Sequence, residues 1–299
     1  MNTHSEYEEI AENIGVELSV GESLAEHCFY GTGGKASAVF YPESVESCRE
    51  LVSSLKTRDI PFIFLGNGTN VLVSDDGYSG AVISTENLKG ITISGNILTA
   101  MAGNGLSEIL NSALYNSLGG MEFLCGIPAS VGGAVSMNAG CFGKNIGDYV
   151  LYVVAVSGIY KRGECDFDYR TSRFLRDNDG VLSVCFNLEN VEYDQSENKV
   201  EYFTALRRNK QPKGRSCGCV FKNDGYYAGK VIESCDLKGY RIGKAYVSEK
   251  HANFIIAEQG AKSLDISRLI KHIKNTVKEK CGIDLIEELQ YIGKFEDES

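Results

Sequence analysis

The strongest local constraint in this chain is the stretch Gly126–Gly140, reading GIPASVGGAVSMNAG. It holds Gly126, Gly132, Gly133 and Gly140, three alanines, and no charged side chain. That glycine content argues against an efficient helix or strand, because each Gly loses more backbone entropy on ordering than Ala does. Bare backbone of this kind serves one of two ends. It makes a tightly packed turn between buried elements, or it makes a cradle whose N–H groups hold an anion such as phosphate. A glycine-rich string by itself does not choose between them.

A second string bears on the choice. Residues 62–73 read FIFLGNGTNVLV, an apolar run, then Gly66-Asn67-Gly68-Thr69-Asn70, then a second apolar run. The flanks predict buried strands and the polar centre a turn whose glycines permit positive φ. A dinucleotide fingerprint needs G-x-G-x-x-G opening a helix. Here the third glycine is missing and Val71-Leu72-Val73 favours strand, which disfavours a Rossmann domain and points to a strand–loop–strand cradle.

With 299 residues the chain has room for two or three modest domains. No apolar run approaches the roughly 18–20 residues of a membrane span. The start, MNTHSEYEEIAENIG, is acidic and lacks the basic and apolar regions of a signal peptide, so a cytoplasmic protein is expected. Ten dispersed cysteines are then expected as reduced thiols. The only close pair is Cys217-Gly218-Cys219, no C-x2-C occurs, and four scattered histidines complete no metal pattern, so no metal site is expected. A net charge of −10 disfavours nucleic acid and anionic membrane as partners. Against that trend, residues 207–215 (RRNKQPKGR) carry Arg207, Arg208, Lys210, Lys213 and Arg215 without an acid. They form either a solvated loop or a local anion site.

The apolar pattern is α+β. Val45, Cys48, Leu51, Val52 and Leu55 form one helical stripe; Leu106, Ile109, Leu110, Ala113 and Leu114 form another; Ile266, Leu269, Ile270, Ile273 and Val277 form a third, followed by Gly282. Strands are predicted at 38–41, 62–65, 81–84, 97–102, 151–156 and 181–186. The polar run YDQSENK marks a linker at 193–202, dividing residues 1–192 from a C-terminal domain at 203–299.

Three further strings line up with the glycine loops: Tyr169-Arg170-Thr171-Ser172-Arg173-Phe174, Gly218-Cys219-Val220-Phe221-Lys222-Asn223, and Glu287-Glu288-Leu289-Gln290-Tyr291-Ile292-Gly293. In this order, from about Phe29 to Gly293, the set resembles the UDP-N-acetylenolpyruvoylglucosamine reductase family. The resemblance implies a two-part FAD-binding module of the vanillyl-alcohol-oxidase type, with its core at about 29–192, followed by a smaller α+β substrate domain. It implies that NADPH reduces FAD, and that the reduced cofactor then reduces an enolpyruvyl UDP-sugar to UDP-N-acetylmuramate in peptidoglycan precursor synthesis. No obligate protein partner is implied. FAD contacts are expected from Gly66, Asn67, Gly68, Thr69, Asn70, Val71 and Leu72 and from Pro128, Ala129, Ser130, Gly132 and Gly133, with Gly33, Gly34 and Asn138 nearby. Neither glycine loop holds a histidine for a covalent tether, so a dissociable FAD is expected.

By the same resemblance Arg170, Cys219 and Glu288 are the catalytic residues. An electron-rich enol ether accepts reduction only when its carboxylate is polarised, and a permanently charged, forked guanidinium suits that task. Arg170 matches the family arginine and Glu288 the family glutamate at the reacting end. The proton donor is expected after Gly218, where the family pattern has serine and this chain has Cys219. A thiol, with a reference pKa of about 8.5, is a competent acid. The departure reads either as such an acid, as an impaired site, or as half of a redox pair with Cys217. Lys210, Asn223 and His251 match substrate contacts. Asp224 stands where the family pattern has proline and Ala129 where it has glycine, and Ala resists positive φ. The short link from Asn223 to Ala228 matches the subtype without a tyrosine-bearing insertion. Two other readings of the same fold are a non-catalytic flavin- or nucleotide-binding regulator and an FAD-dependent sugar oxidase. Arg170, the basic segment and Glu288 suit an anionic substrate and weigh against the oxidase.

Overall fold

The computed structural model describes residues 3–295. They fall into two compact units, one of Met1–Val20, Ala38–Asn67 and Gly80–Arg207, the other of Gly21–Ser37, Gly68–Ser79 and Arg208–Ser299.

The first unit has two layers of sheet with helices. Strands Glu17–Val20, Ala36–Tyr41, Tyr78–Ser84 and Phe62–Leu65 make a four-stranded sheet in that order, with Phe62–Leu65 parallel to Ala81–Ser84. Helices α1 (Thr3–Ile14) and α2 (Val45–Thr57) pack on it through Tyr7, Ile10, Leu51 and Leu55 against Phe40 and Ile83. The predicted stripe is the buried face of α2, and Ser44 caps it by accepting from the Ser47 N–H at 3.0 Å. A second, antiparallel sheet orders Ile159–Lys161, Val150–Ala155, Val181–Asn187, Ile97–Met101 and Ile91–Ser94. Its core is closed by α3 (Leu106–Tyr115) and α4 (Val131–Ser136). The four-residue α5 (Arg173–Arg176) follows. All six predicted strands are present within one or two residues, except that the 81–84 strand starts at Tyr78.

Two expectations change here. The glycine-rich stretch does contain a helix: α4 forms because Ser130 caps it, accepting from the Gly133 N–H at 3.3 Å, and because tight packing needs glycine at 132. A Cβ at Gly132 would lie 2.9 Å from the Ala102 methyl. The proposed linker 193–202 is the first half of α6 (Tyr193–Lys210). Its polar composition marks an exposed helix, with Ser196 the residue it buries among those described.

The second unit holds α7 (Ala228–Ser234), a three-stranded antiparallel sheet (Arg241–Ile242, Ala245–Val247, Ile255–Ala257) and α8 (Ser263–Cys281). α8 buries Ile266, Leu269, Ile270, Ile273 and Val277, the predicted stripe, and ends at Gly282 with φ of 69°. Segments 21–37 and 68–79 join this unit through long-range pairing that local composition cannot reveal. Val71–Val73 runs parallel to Gln290–Ile292. The Asp75 carboxylate accepts from the first N–H groups of α8, those of Ser263 and Leu264, at 3.0 Å each.

Candidate active site

In the first unit the two glycine strings meet. The Asn67 side-chain amide donates to the Pro128 carbonyl at 2.9 Å, and a Cβ at Gly66 would collide with the Ser130 hydroxyl. Glycine at 66 therefore lets the loops close on one another. The helix start is not an open anion cradle, however. The N–H groups of Val131 and Gly132 already donate to the carbonyls of Asn104 and Ala102, at 2.8 and 2.9 Å. Ala129 does not adopt positive φ, so its methyl brings no backbone strain, and its carbonyl accepts from Leu106 at 3.0 Å. The open donors lie in the other string. Among the described residues, the N–H groups of Asn67, Gly68 and Thr69 find no acceptor. Three consecutive free N–H groups form a nest suited to phosphate oxygens, so these residues fit the pyrophosphate of FAD.

Arg170 sits in a turn of unusual conformation. Asp168 and Thr171 exchange backbone hydrogen bonds at 3.1 and 3.2 Å, leaving Tyr169 and Arg170 as a two-residue tip. Arg170 has φ of 56°, a left-handed conformation that costs a non-glycine residue of order 1 kcal/mol. Asn138, also left-handed at 45°, holds that turn in place. Its amide donates to the Asp168 carbonyl at 2.9 Å and its carbonyl accepts from the Gly147 N–H at 3.1 Å. Asn138, expected near the cofactor, is buried and gives one of these bonds to the arginine turn. The Arg170 guanidinium donates to the Gly140 carbonyl at 2.7 Å and lies over the Tyr169 ring at 5.1 Å. A second guanidinium approaches the same loop: Arg207 donates to the Phe123 carbonyl at 3.0 Å and to the Cys141 sulfur at 2.8 Å. Arg207 thus faces inward, not into a solvated basic loop.

The second unit pairs the other two catalytic candidates. The Glu288 N–H donates to the carbonyl of Val220, the residue after Cys219, at 2.8 Å, and Phe221 bridges Glu287 in antiparallel register. Cys219 and Glu288 therefore stand on neighbouring extended segments. Both are half-buried. Asn70 fixes the glutamate from the loop side, its amide donating to the Glu288 carbonyl at 3.0 Å while its own carbonyl accepts from Gln290 at 3.0 Å. Leu72 is buried, so it serves the core with its side chain. Sequence reasoning missed Asn253. This buried amide donates to the Phe221 carbonyl at 2.8 Å and accepts from the Phe221 N–H at 2.9 Å, while its backbone carbonyl accepts from Val220 at 2.9 Å. Its position in the run HANFII carries no motif signal except an amide within an apolar segment.

Gly33, Gly34 and Gly68 are small for packing reasons. Gly33 has φ of 123° and its Cβ would meet the Val73 side chain at 2.7 Å; a Cβ at Gly34 would strike the Asp75 carbonyl and one at Gly68 the His27 carbonyl. Cys217 is buried and donates to the Val71 carbonyl at 3.3 Å, as does Cys28. Burial pushes the Cys217 thiol well up. Cys28 and Cys217 thus share the Val71 carbonyl as acceptor, and the two thiols interact.

Among the substrate candidates, Asn223 accepts from the Ala228 N–H at the start of α7 at 2.9 Å. His251 packs edge-on against Phe254 at 4.9 Å and accepts at Nδ1 from Asn253 at 3.3 Å, and burial holds its pKa below the usual histidine range. Lys210 is exposed at the end of α6. Among the described residues no cluster of three or more metal-ligating side chains occurs, and no helix is long and apolar enough to cross a membrane.

Comparison with known proteins bears on the same residues. A model of the UDP-N-acetylenolpyruvoylglucosamine reductase C-terminal domain matches residues 210–292, and a model of the FAD binding domain matches residues 36–164. The UDP-N-acetylenolpyruvoylglucosamine reductase of Caldanaerobacter subterraneus subsp. tengcongensis is 39% identical over 285 residues, covering 93% of this chain and 94% of that protein. The chain belongs to this family. Another UDP-N-acetylenolpyruvoylglucosamine reductase, from Clostridium botulinum, is 38% identical over 296 residues, covering 97% of this chain and 96% of the relative. The crystal structure of the reductase from Thermus caldophilus superimposes with a TM-score of 0.80 at 31% identity, covering 93% of this chain and 99% of that one. Family membership and the FAD-binding domain make this protein a flavin-dependent oxidoreductase of α+β fold, with the two-part module that the motifs implied.

Proposed function

We propose that this protein performs the reaction its family is named for, the reduction of an enolpyruvyl UDP-N-acetylglucosamine to UDP-N-acetylmuramate, in the cytoplasm, with NADPH as reductant. The product belongs to peptidoglycan precursor synthesis, which ties the activity to cell shape and division. Bound FAD, held at Asn67, Gly68 and Thr69 by free backbone donors, supplies the two-electron chemistry between nicotinamide and vinyl group.

The chain's residues do the rest. Arg170 binds the substrate carboxylate and draws off the negative charge that grows there as the vinyl group is reduced, an effect of a few kcal/mol for one well-placed donor. The left-handed turn sets the direction of its side chain in advance, so little reorganisation remains at the moment of reaction. Cys219 holds a proton on Sγ and gives it to the carbon beside the carboxylate, and Glu288 stands on the adjoining segment at the reacting end. Lys210, Asn223 and His251 hold the nucleotide-sugar. The observation that supports this reading is the backbone pairing of Glu288 with Val220, which keeps the segment of Cys219 and the segment of Glu288 adjacent, within the short reach that proton transfer asks of an acid.

The test is anaerobic. NADPH should bleach the purified flavoprotein, and colour should return only when the enolpyruvyl substrate is added. Absence of bleaching by any nicotinamide nucleotide would sink the proposal and favour a non-catalytic flavin-binding role.

A further inference from the structure

Away from these residues, two thiols meet at the ends of two helices. Cys235 follows the last residue of α7 and Cys281 is the last residue of α8, and their sulfurs are 3.5 Å apart. Among the described cysteines Cys281 is the exposed one, whereas Cys235 is 2% exposed. A disulfide requires about 2.05 Å between sulfurs, so closure asks for a movement of roughly 1.5 Å. Both residues stand where a helix stops. Asp236 and Gly282 follow them in left-handed conformation, with φ of 60° and 69°. Such ends admit that movement without disturbing a helix interior. Burial raises the Cys235 thiol, as it does those of Cys48 and Cys165, which are pushed up to about 12 and 11.

We propose that Cys235 and Cys281 form a reversible thiol–disulfide modification site whose oxidant is a low-molecular-weight disulfide such as oxidised glutathione. The exposed Cys281 thiolate attacks one sulfur of that disulfide, forming a mixed disulfide and expelling one small thiolate. Cys235, shielded from solvent but in contact with Cys281, then attacks the Cys281 sulfur and expels the second small thiolate. The two protein thiols are oxidised, one small disulfide becomes two thiols, and the two protein protons leave with them. Burial and the neighbouring Cys281 push the Cys235 thiol up, and Lys280, which donates to the Cys235 carbonyl at 3.0 Å, offsets part of that rise. The cross-link ties the end of α7 to the end of α8.

The experiment uses the reduced full-length protein, incubated with oxidised glutathione and then unfolded for thiol counting and peptide mass mapping. The expected result is loss of two of the ten thiols, a mass lower by two hydrogens, and one linked peptide pair containing Cys235 and Cys281, all reversed by dithiothreitol. In Cys281→Ser, Cys235 should remain a free thiol throughout. A lasting glutathione adduct on Cys281, a link at other cysteines, or an unchanged thiol count would overturn the proposal.

Discussion

Asn253 holds Phe221 at both of its backbone groups, donating to the carbonyl at 2.8 Å and accepting from the N–H at 2.9 Å. One side chain thereby imitates a neighbouring strand, two residues after Cys219. Asn253→Ala leaves both groups buried and unpaired, which costs about 1–3 kcal/mol for each such group. Denaturant unfolding should show a loss of about 2–6 kcal/mol, and kcat should fall more than KM changes. A variant of wild-type stability would show that the clamp is dispensable.

Arg170 combines a fixed charge with a strained turn. Arg170→Lys keeps the charge but loses the fork, and kcat should drop by about 10²-fold, the loss typical of one missing transition-state donor. Asn138→Ala frees the turn that carries it, so turnover should fall although no charge is removed. Steady-state kinetics on both variants check this; unchanged kcat in Arg170→Lys would remove the arginine from the reaction.

Much of this architecture was legible before any coordinates. The stripes of α2, α3 and α8 and all six strands follow from apolar spacing, because burial of one face is a local property of sequence. The membership of residues 21–37 and 68–79 in the second unit was not legible, because it rests on a parallel pairing across more than two hundred positions. The helix within Gly126–Gly140 was hidden by its glycines, which report close packing against Ala102 more than backbone freedom. The bonds that Asn138 makes and the role of Asn253 were not legible for a common reason. What a buried amide bonds to is decided by tertiary structure, and two of these amides serve the backbone next to Arg170 and Cys219.

Two glycines separate close approach from backbone strain. Gly95 has φ of 58° with nothing within 4 Å of an added Cβ, whereas Gly68 has φ of 61° and faces the His27 carbonyl. Gly95→Ala should cost about 1 kcal/mol, the left-handed penalty alone. Gly68→Ala should cost more and also yield protein purified with less flavin. Equal thermal stability and flavin content in the two variants would contradict this.

Substitution at Cys219 discriminates an acid from a bystander. Cys219→Ala should lose about 10²–10⁴-fold in turnover, the usual contribution of a positioned acid, while Cys219→Ser should retain most activity. Reaction in deuterated water gives a second reading, since the label at the carbon beside the carboxylate should fall sharply in the alanine variant. Wild-type turnover in Cys219→Ala would remove the thiol from the mechanism.

Burial lowers the His251 pKa in the folded state below the usual value of about 6.5. The unfolded chain therefore binds the proton more readily. The stability from neutral His251 is complete above about pH 6.5 and declines as pH falls through the lowered folded value. Unfolding curves at pH 5 and pH 8 should show a smaller difference for His251→Gln than for the wild type. Identical differences would mean that another group sets the acid sensitivity.

The parallel pairing of Val71–Val73 with Gln290–Ile292 also sets an order of events during synthesis. A ribosome delivers the Asn67–Thr69 nest early, but the strand that completes its neighbourhood emerges only after some two hundred further residues. Until then Val71–Val73 has an open edge and a contact of high sequence separation is pending, so the nascent chain is expected to bind flavin poorly. Cofactor loading is then expected near the end of chain synthesis, and ribosome-stalled chains halted before Gln290 should emerge without flavin.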